Sequence, residues 1–167
     1  MLPAILLVTV ASYTDIKEGK IYNKHTVPVF IVGIILAVIQ KRYDLILSAV
    51  IAFGFFYIFF AFPRFVSKLA AVFGAVPVPA GERAMGGGDV KMATALAVYT
   101  GYLPVLYGTA LGALAAIVIN GIKLWRATGT PQSVFYLAAG KISQPVAFGP
   151  YLGLGVLVCW FLEILYL

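Results

Sequence analysis

Six apolar runs constrain this chain more than any motif in it: Leu2–Tyr13, Thr26–Gln40, Leu45–Phe62, Val90–Leu103, Val105–Ile122 and Val146–Leu167. Little lies between them. The chain of 167 residues is 62% hydrophobic and 11% charged, whereas a soluble domain is about 45–50% apolar and about 25% charged. A soluble fold of this size has no interior large enough for that much apolar surface, and a disordered chain has no use for it. The pattern predicts an all-α integral membrane protein with six transmembrane helices, forming a single membrane-embedded domain over residues 1–167. A free-standing span needs about 20 residues, so the shorter runs must borrow flanking residues or be covered by other helices. The first run lacks a basic segment before it and does not read as a signal peptide.

The basic residues then give direction. Lys17, Lys20 and Lys24 separate the first two runs, and Arg64, Lys68, Arg83 and Lys91 separate the third and fourth. Lys123, Arg126 and Lys141 follow the fifth. Only Lys41 and Arg42 fall on the opposite side, and the Gly101–Pro104 turn carries no charge. The positive-inside rule puts the larger group in the cytoplasm. Both termini are then expected outside, in a multi-pass protein of the cytoplasmic membrane. The excess of Lys and Arg over Asp and Glu is read as membrane topology rather than nucleic-acid binding. Cys159 and His25 are the single cysteine and histidine, which excludes an intrachain disulfide and the two-histidine or CxxC zinc motifs. No metal or other cofactor is expected.

Some segments fit no span. Phe65–Val76 is apolar but bounded by Pro63 and Pro77, and is read as a cytoplasmic extension or an interfacial helix. Residues 77–81 read as a loop, as does Gly129–Gly140, with a short helix around Ser133–Ala139. The spacings Gly108/Gly112 and Gly149/Gly153 are read as helix-packing positions.

Of the six acidic residues, Asp44 sits beside Lys41 and Arg42, Glu163 reaches the outer headgroups, and Glu18 and Glu82 lie in basic loops. Asp15 and Asp89 remain. Asp15 ends an apolar stretch of about 14 residues, a rise of roughly 21 Å, against a hydrocarbon core of about 30 Å. Asp89 opens a stretch of similar length. Two carboxylates thus arrive from different helices, on one side, at similar depth. Carboxylates at such a depth are costly and mark function by default, although Asp89 alone reads equally well as a helix cap. Gly86-Gly87-Gly88 precedes Asp89 and permits close backbone approach. The spacing does not match a phosphate loop. Lys91 either supports the anionic form of Asp89 or, the preferred reading, snorkels to the cytoplasmic surface.

With these residues in place, the chain resembles the type IV prepilin and preflagellin peptidases, the membrane aspartic proteases marked by GxGD. Gly86-Gly87-Gly88-Asp89-Val90-Lys91-Met92 stands where that family reads GxGDxKL. Asp15 ends the first span and is followed by Ile21-Tyr22-Asn23, where Ile-Pro-Asn is frequent. Ala147-Phe148-Gly149-Pro150-Tyr151-Leu152 opens the last span in place of PFGPFL. The resemblance implies that Asp15 and Asp89 are catalytic, that Gly86 and Gly88 approach the dyad or the substrate, and that the partner is a prepilin-like protein in the bilayer. The cysteine quartet of the larger, methylating relatives has no counterpart. The compact chain is similar to the stand-alone peptidases of Flp-type (tight-adherence) pilus systems.

The implied chemistry is hydrolysis by two carboxylates sharing a proton. The leader would be basic and cytoplasmic, and Glu18 and Glu82 would either attract it or pair with Lys17, Lys20 or Arg83. Two other classes stay open on the residues alone. One is a proton- or cation-coupled transporter with Asp15 and Asp89 as binding carboxylates. The other is a non-catalytic membrane assembly subunit.

Overall fold

In the computed structural model the described residues are 1–72, 86–129 and 147–166. They form six helices and no strand: α1 (Leu2–Glu18), α2 (Asn23–Ile39), α3 (Tyr43–Val72), α4 (Gly87–Thr100), α5 (Tyr102–Thr128) and α6 (Gly149–Tyr166). Three stretches are long and apolar enough to cross a membrane, Tyr43–Ala61, Tyr102–Ala127 and Gly149–Tyr166. Helix α2 is apolar but shorter. Helix α1 carries Asp15, Lys17 and Glu18 in its final turn, and α4 is only 14 residues long.

Helix α4 can be short because it is the hub of the bundle. It packs against all five other helices. Along its length Val90, Met92 through Val98 and Thr100 are buried. A helix enclosed in this way presents little surface to lipid, so bilayer thickness does not set its length. Small side chains let the neighbours close on it: Ala93, Ala95 and Ala97 of α4 meet a core that includes Ala4, Ala11, Ala37, Ala49 and Ala52. Small residues at helix contacts are how bundles in lipid gain van der Waals packing. The outer faces show the inverse pattern. Leu6, Ile35, Val50, Ile58, Leu114 and Phe161 are exposed large apolar residues on the surrounding helices. Apolar surface so continuous is excluded from water and identifies a membrane protein.

Helices α5 and α6 make the most intimate pair. A methyl group on Gly108 would strike the backbone at Gly155 and Val156, and one on Gly112 would strike the carbonyl of Tyr151. The expected packing role of Gly108 and Gly112 is therefore correct. Gly153 also packs, against Val8 and Met92. Gly149 does something else, described below. Between α2 and α4 the crossing point is Gly33, which faces Val98 and Tyr99. The Tyr99 hydroxyl donates to the Val29 carbonyl at 2.6 Å, a second tie between the two helices.

Two helix boundaries differ from the ends of the apolar runs. Pro63 does not bound the third helix, since α3 continues through it to Val72. Proline removes one backbone donor and bends a helix, but it does not end this one. Residues 65–72 are accordingly an extension of α3. The run Val90–Leu103 ends within the expected Gly101–Pro104 turn. It breaks at Gly101, whose φ of +85° is a conformation other residues rarely adopt, and α5 starts immediately after it. The expected loop at 77–81, the short helix around Ser133–Ala139, Glu82 and Arg83 lie outside the described residues.

The helices alternate in direction. Met1, Gln40, Arg42, Gly101 and Glu163 line one cavity at one end of the bundle. The end of α1 and the starts of α2, α4 and α6 meet at the other. Arg42 pairs with Asp44 at 3.1 Å on the exposed surface, as their neighbouring positions suggest.

Candidate active site

Each aspartate reaches the second end by its own local construction. Helix α1 runs past Asp15 for one more turn and stops at Gly19, which adopts the left-handed conformation (φ +64°) and donates its N–H to the Asp15 carbonyl at 2.9 Å. This is a common way to end a helix. The chain then reverses through Lys20, Ile21 and Tyr22 into α2. Asp89 stands in the first turn of α4. Its Oδ2 accepts the Gly86 N–H at 3.2 Å, so the carboxylate folds back over the start of its own helix, where backbone donors lack intrahelical partners. Asp89 therefore caps the helix from its third position, and the N-cap itself is Gly86.

Asp15 has the equivalent partner from far along the chain. Its Oδ2 accepts the Gly149 N–H at 2.8 Å in a buried hydrogen bond. Gly149 begins α6, and Pro150 follows it in the first turn, where proline is well tolerated. Both carboxylates are therefore buried, and each lies at a helix N-terminus with one oxygen on a backbone N–H. Helix N-termini favour negative charge. The two groups line a shared cavity of about 390 Å³ with Gly19, Tyr22, Asn23 and Gly86, and the charge of one acts on the other.

The glycines explain how the parts close together. A methyl on Gly86 would lie 2.8 Å from Asp89 Oδ2, and one on Gly88 would lie 2.9 Å from Ile21 Cβ. On Gly149 it would sit 3.0 Å from Asp15 Oδ2 and 3.1 Å from Ile21 Cδ1. Ile21 is thus a wedge between the starts of α4 and α6, touching a glycine beside each aspartate. Gly87, by contrast, would bring a methyl no nearer than 3.5 Å, to the Phe60 ring.

Lys91 does not contact Asp89 through a hydrogen bond. Its Nζ donates to Asn23 Oδ1 at 2.8 Å, which ties the first turn of α4 to the first residue of α2. It is exposed, as a snorkelling lysine would be. Glu18 pairs with neither Lys17 nor Lys20; it accepts a hydrogen bond from the Tyr22 hydroxyl. That bond and the nearby charge of Glu18 hold the Tyr22 phenol above the ordinary tyrosine range. Among the described residues no three His, Cys, Asp or Glu side chains converge on a point that could hold a metal ion.

Sequence reasoning found both aspartates and the glycine run but missed the parts played by Gly149, Ile21 and Asn23. The signal for Gly149 was present in Phe148-Gly149-Pro150. A glycine before a proline at a helix start exposes a backbone N–H that needs an acceptor, and Asp15 supplies it.

No curated protein and no solved structure matches the chain. A family model described as the type IV leader peptidase family matches residues 2–121, which hold Asp15, the Ile21-Tyr22-Asn23 turn and Gly86 to Met92. With well over half of its length in that match, the chain belongs to the type IV leader peptidase family.

Proposed function

We propose that this protein is an aspartic endopeptidase of the cytoplasmic membrane that removes the short basic leader from type IV prepilin-like precursors. Asp15 and Asp89 are its catalytic pair. The observation that carries the reading is the shared cavity, entered by two buried carboxylates from different helices, each with one oxygen on a backbone N–H. Family membership favours it over a transporter or an assembly subunit.

Two carboxylates at such proximity do not both ionise readily, so the pair carries one proton. The ionised member takes a proton from a water molecule as the water oxygen adds to the scissile carbonyl carbon. The protonated member gives its proton to the carbonyl oxygen. Collapse of the tetrahedral intermediate breaks the C–N bond, and a carboxyl group of the pair delivers the proton that the leaving amine requires. The pair titrates as a unit. The Gly86 and Gly149 amides fix where each carboxylate points, leaving the free oxygens to face the cavity. Lys91 acts at one remove, by holding α4 to α2.

Six spans with both termini outside complete the reading. Helices α3, α5 and α6 have the length and composition to cross, and α1, α2 and α4 run alongside them between the same two ends. The ends differ in charge as the positive-inside rule requires for a cytoplasmic active site. The test is cleavage of a prepilin precursor by the purified protein in lipid nanodiscs. The expected result is a single cut at the leader junction, lost in Asp15→Asn and in Asp89→Asn. Absence of cleavage by the wild-type protein would dispose of the peptidase reading.

A further inference from the structure

The side chains on the wall of the catalytic cavity differ in what they have left to offer a substrate. The Tyr22 hydroxyl is taken by Glu18. Ile21 is apolar, and Lys20 carries its ammonium on a flexible four-carbon stem. Asn23 is the remaining polar side chain besides the two aspartates. It is the first residue of α2 but does not cap that helix, whose N-cap is Tyr22 and has no side-chain cap bond. Among the described residues its side chain makes a single hydrogen bond, with Lys91 Nζ at 2.8 Å. An ammonium only donates, so the acceptor must be Oδ1, and the orientation of the amide is fixed. Nδ2 then keeps two N–H donors without a protein partner. Asn23 is exposed, so these donors are open to a ligand. Lys91 itself does not line the catalytic cavity. It holds the oxygen end of the amide from α4, two residues beyond Asp89, and ties the amide to the helix that carries that carboxylate. A charged donor on the oxygen also polarises the amide and strengthens its N–H groups as donors.

We propose that Asn23 is a substrate-binding residue: its Nδ2 donates to a backbone carbonyl oxygen beside the scissile bond, and Lys91 is the positioning residue that holds the amide for this contact. This rests on the peptidase reading above. The segment under attack has to be extended, since a peptide bond inside a regular helix is shielded. Its carbonyl oxygens then lack intrahelical donors, and a carbonyl taken out of water without a partner is costly. The oxygen of the scissile carbonyl receives its proton from the aspartate pair, so the Asn23 donor serves a neighbouring one. Every residue of a substrate has a backbone carbonyl. The contact therefore sets the register of the chain over Asp15 and Asp89 without selecting a side chain.

The experiment separates a donor to substrate from a mere tie between α2 and α4. Asn23→Asp keeps an acceptor for Lys91 and removes both N–H donors. Lys91→Met breaks the tie and leaves the Asn23 amide in place. Each variant is assayed in nanodiscs at its own pH optimum, so that a changed charge near the pair does not enter the comparison. Asn23→Asp is expected to lower kcat/KM about tenfold, mostly through KM, with an unfolding midpoint no lower than that of the wild type. Lys91→Met should lower it only about threefold. If Asn23 were only a tie, the order would reverse: Asn23→Asp would cut like the wild type and Lys91→Met would be the weaker enzyme. That result would overturn the proposal and leave the peptidase intact. The second measurement uses synthetic substrates with an ester in place of the peptide bond just before or just after the cut, which weakens one carbonyl as an acceptor. The wild type should lose about fivefold on one of the two, and Asn23→Asp should lose less than about twofold on that same substrate, a coupling between residue and carbonyl. Additive losses on both esters would likewise overturn the contact. Failure of the wild-type protein to cut the all-amide substrate would overturn the peptidase reading and this inference together.

Discussion

The two carboxylates are held by different means, and residue-level substitutions can separate holding from reacting. Asp15→Asn and Asp89→Asn keep an acceptor oxygen for the Gly149 and Gly86 amides but cannot exchange the proton. Each should lower kcat/KM by about 10²–10⁴-fold or more while the protein elutes from gel filtration as the wild type does. A folded variant with near wild-type turnover would remove that aspartate from the mechanism. The glycines divide by what surrounds them. In Gly88→Ala the added methyl meets Ile21 Cβ at 2.9 Å, a crowding that costs on the order of 1–3 kcal/mol and shifts the α1–α2 turn away from α4. Because the clash is with Cβ, Ile21→Ala should fail to rescue it. Gly86→Ala should displace the Asp89 carboxylate, with cleavage falling more than stability does. Gly87→Ala meets only ordinary contact and should cleave like the wild type; equal behaviour of all three variants would reduce the run to simple flexibility. Both aspartates and the glycine run were legible in the sequence because each breaks an apolar pattern. Ile21 was not, and Gly149 only as a free backbone N–H without a named acceptor, because a wedge and its sockets are defined only by which helix ends meet. No local pattern states that Gly149 and Asp15 share a hydrogen bond across 134 residues of chain.

Helix lengths carry two messages that hydropathy confuses. Apolar runs locate the outer helices well, since each has a lipid face to satisfy. They define α4 poorly, since a helix buried on nearly every side is apolar for packing reasons, and its end at Gly101 is set by backbone conformation rather than by hydropathy. At Pro63 the sequence left open an extension or a separate interfacial helix, and α3 runs on as an extension. The α5–α6 seam is the element contact with the least tolerance. Gly108→Ala places a methyl against the backbone of α6, and backbone cannot move aside as a side chain can. The expected loss is about 1–3 kcal/mol, read as a lower unfolding midpoint in a mixed-micelle titration. Gly54→Ala on α3, where nothing lies within 4 Å of the added methyl, should be neutral or stabilising by up to about 1 kcal/mol. If the two variants unfold together, the seam does not hold α6 in place. Because Gly149 at the head of α6 holds Asp15, the Gly108 variant should also lose activity before it loses its helices by circular dichroism.

For the whole molecule, orientation and depth decide which peptide bonds the pair can reach. The described charges sort by end: Lys17, Lys20, Lys24 and Lys91 stand at the end of the bundle that holds the aspartates, while Lys41 and Arg42 stand at the opposite end. In a Cys159→Ala background, a cysteine introduced at Lys41 should be labelled by an impermeant reagent from outside, and one at Lys123 should not. The reverse pattern would place the pair on the outer face. Depth follows from α1. With both termini outside, as proposed, Asp15 lies about 14 residues from the outer end, a rise of roughly 21 Å across a hydrocarbon core of about 30 Å, which would put the cavity near the inner boundary rather than at the membrane centre. A bond attacked there must belong to a segment that is extended at that level. The junction between a basic leader and an apolar helix has this property, because the leader's charges keep it in the cytoplasm and the helix cannot rise to follow it. Moving the cleavage sequence two helical turns into the apolar segment lowers it by roughly 11 Å, beyond the reach of side chains anchored at the starts of α4 and α6. Cleavage of that precursor should fall by at least about 10²-fold, the penalty expected when a reacting bond is misplaced. Lengthening the leader by the same number of residues should leave it unchanged. Equal cleavage at both depths would mean that the bundle opens to admit substrate from the side at any level, and the fixed cavity at the end of α1 would not be what selects the bond.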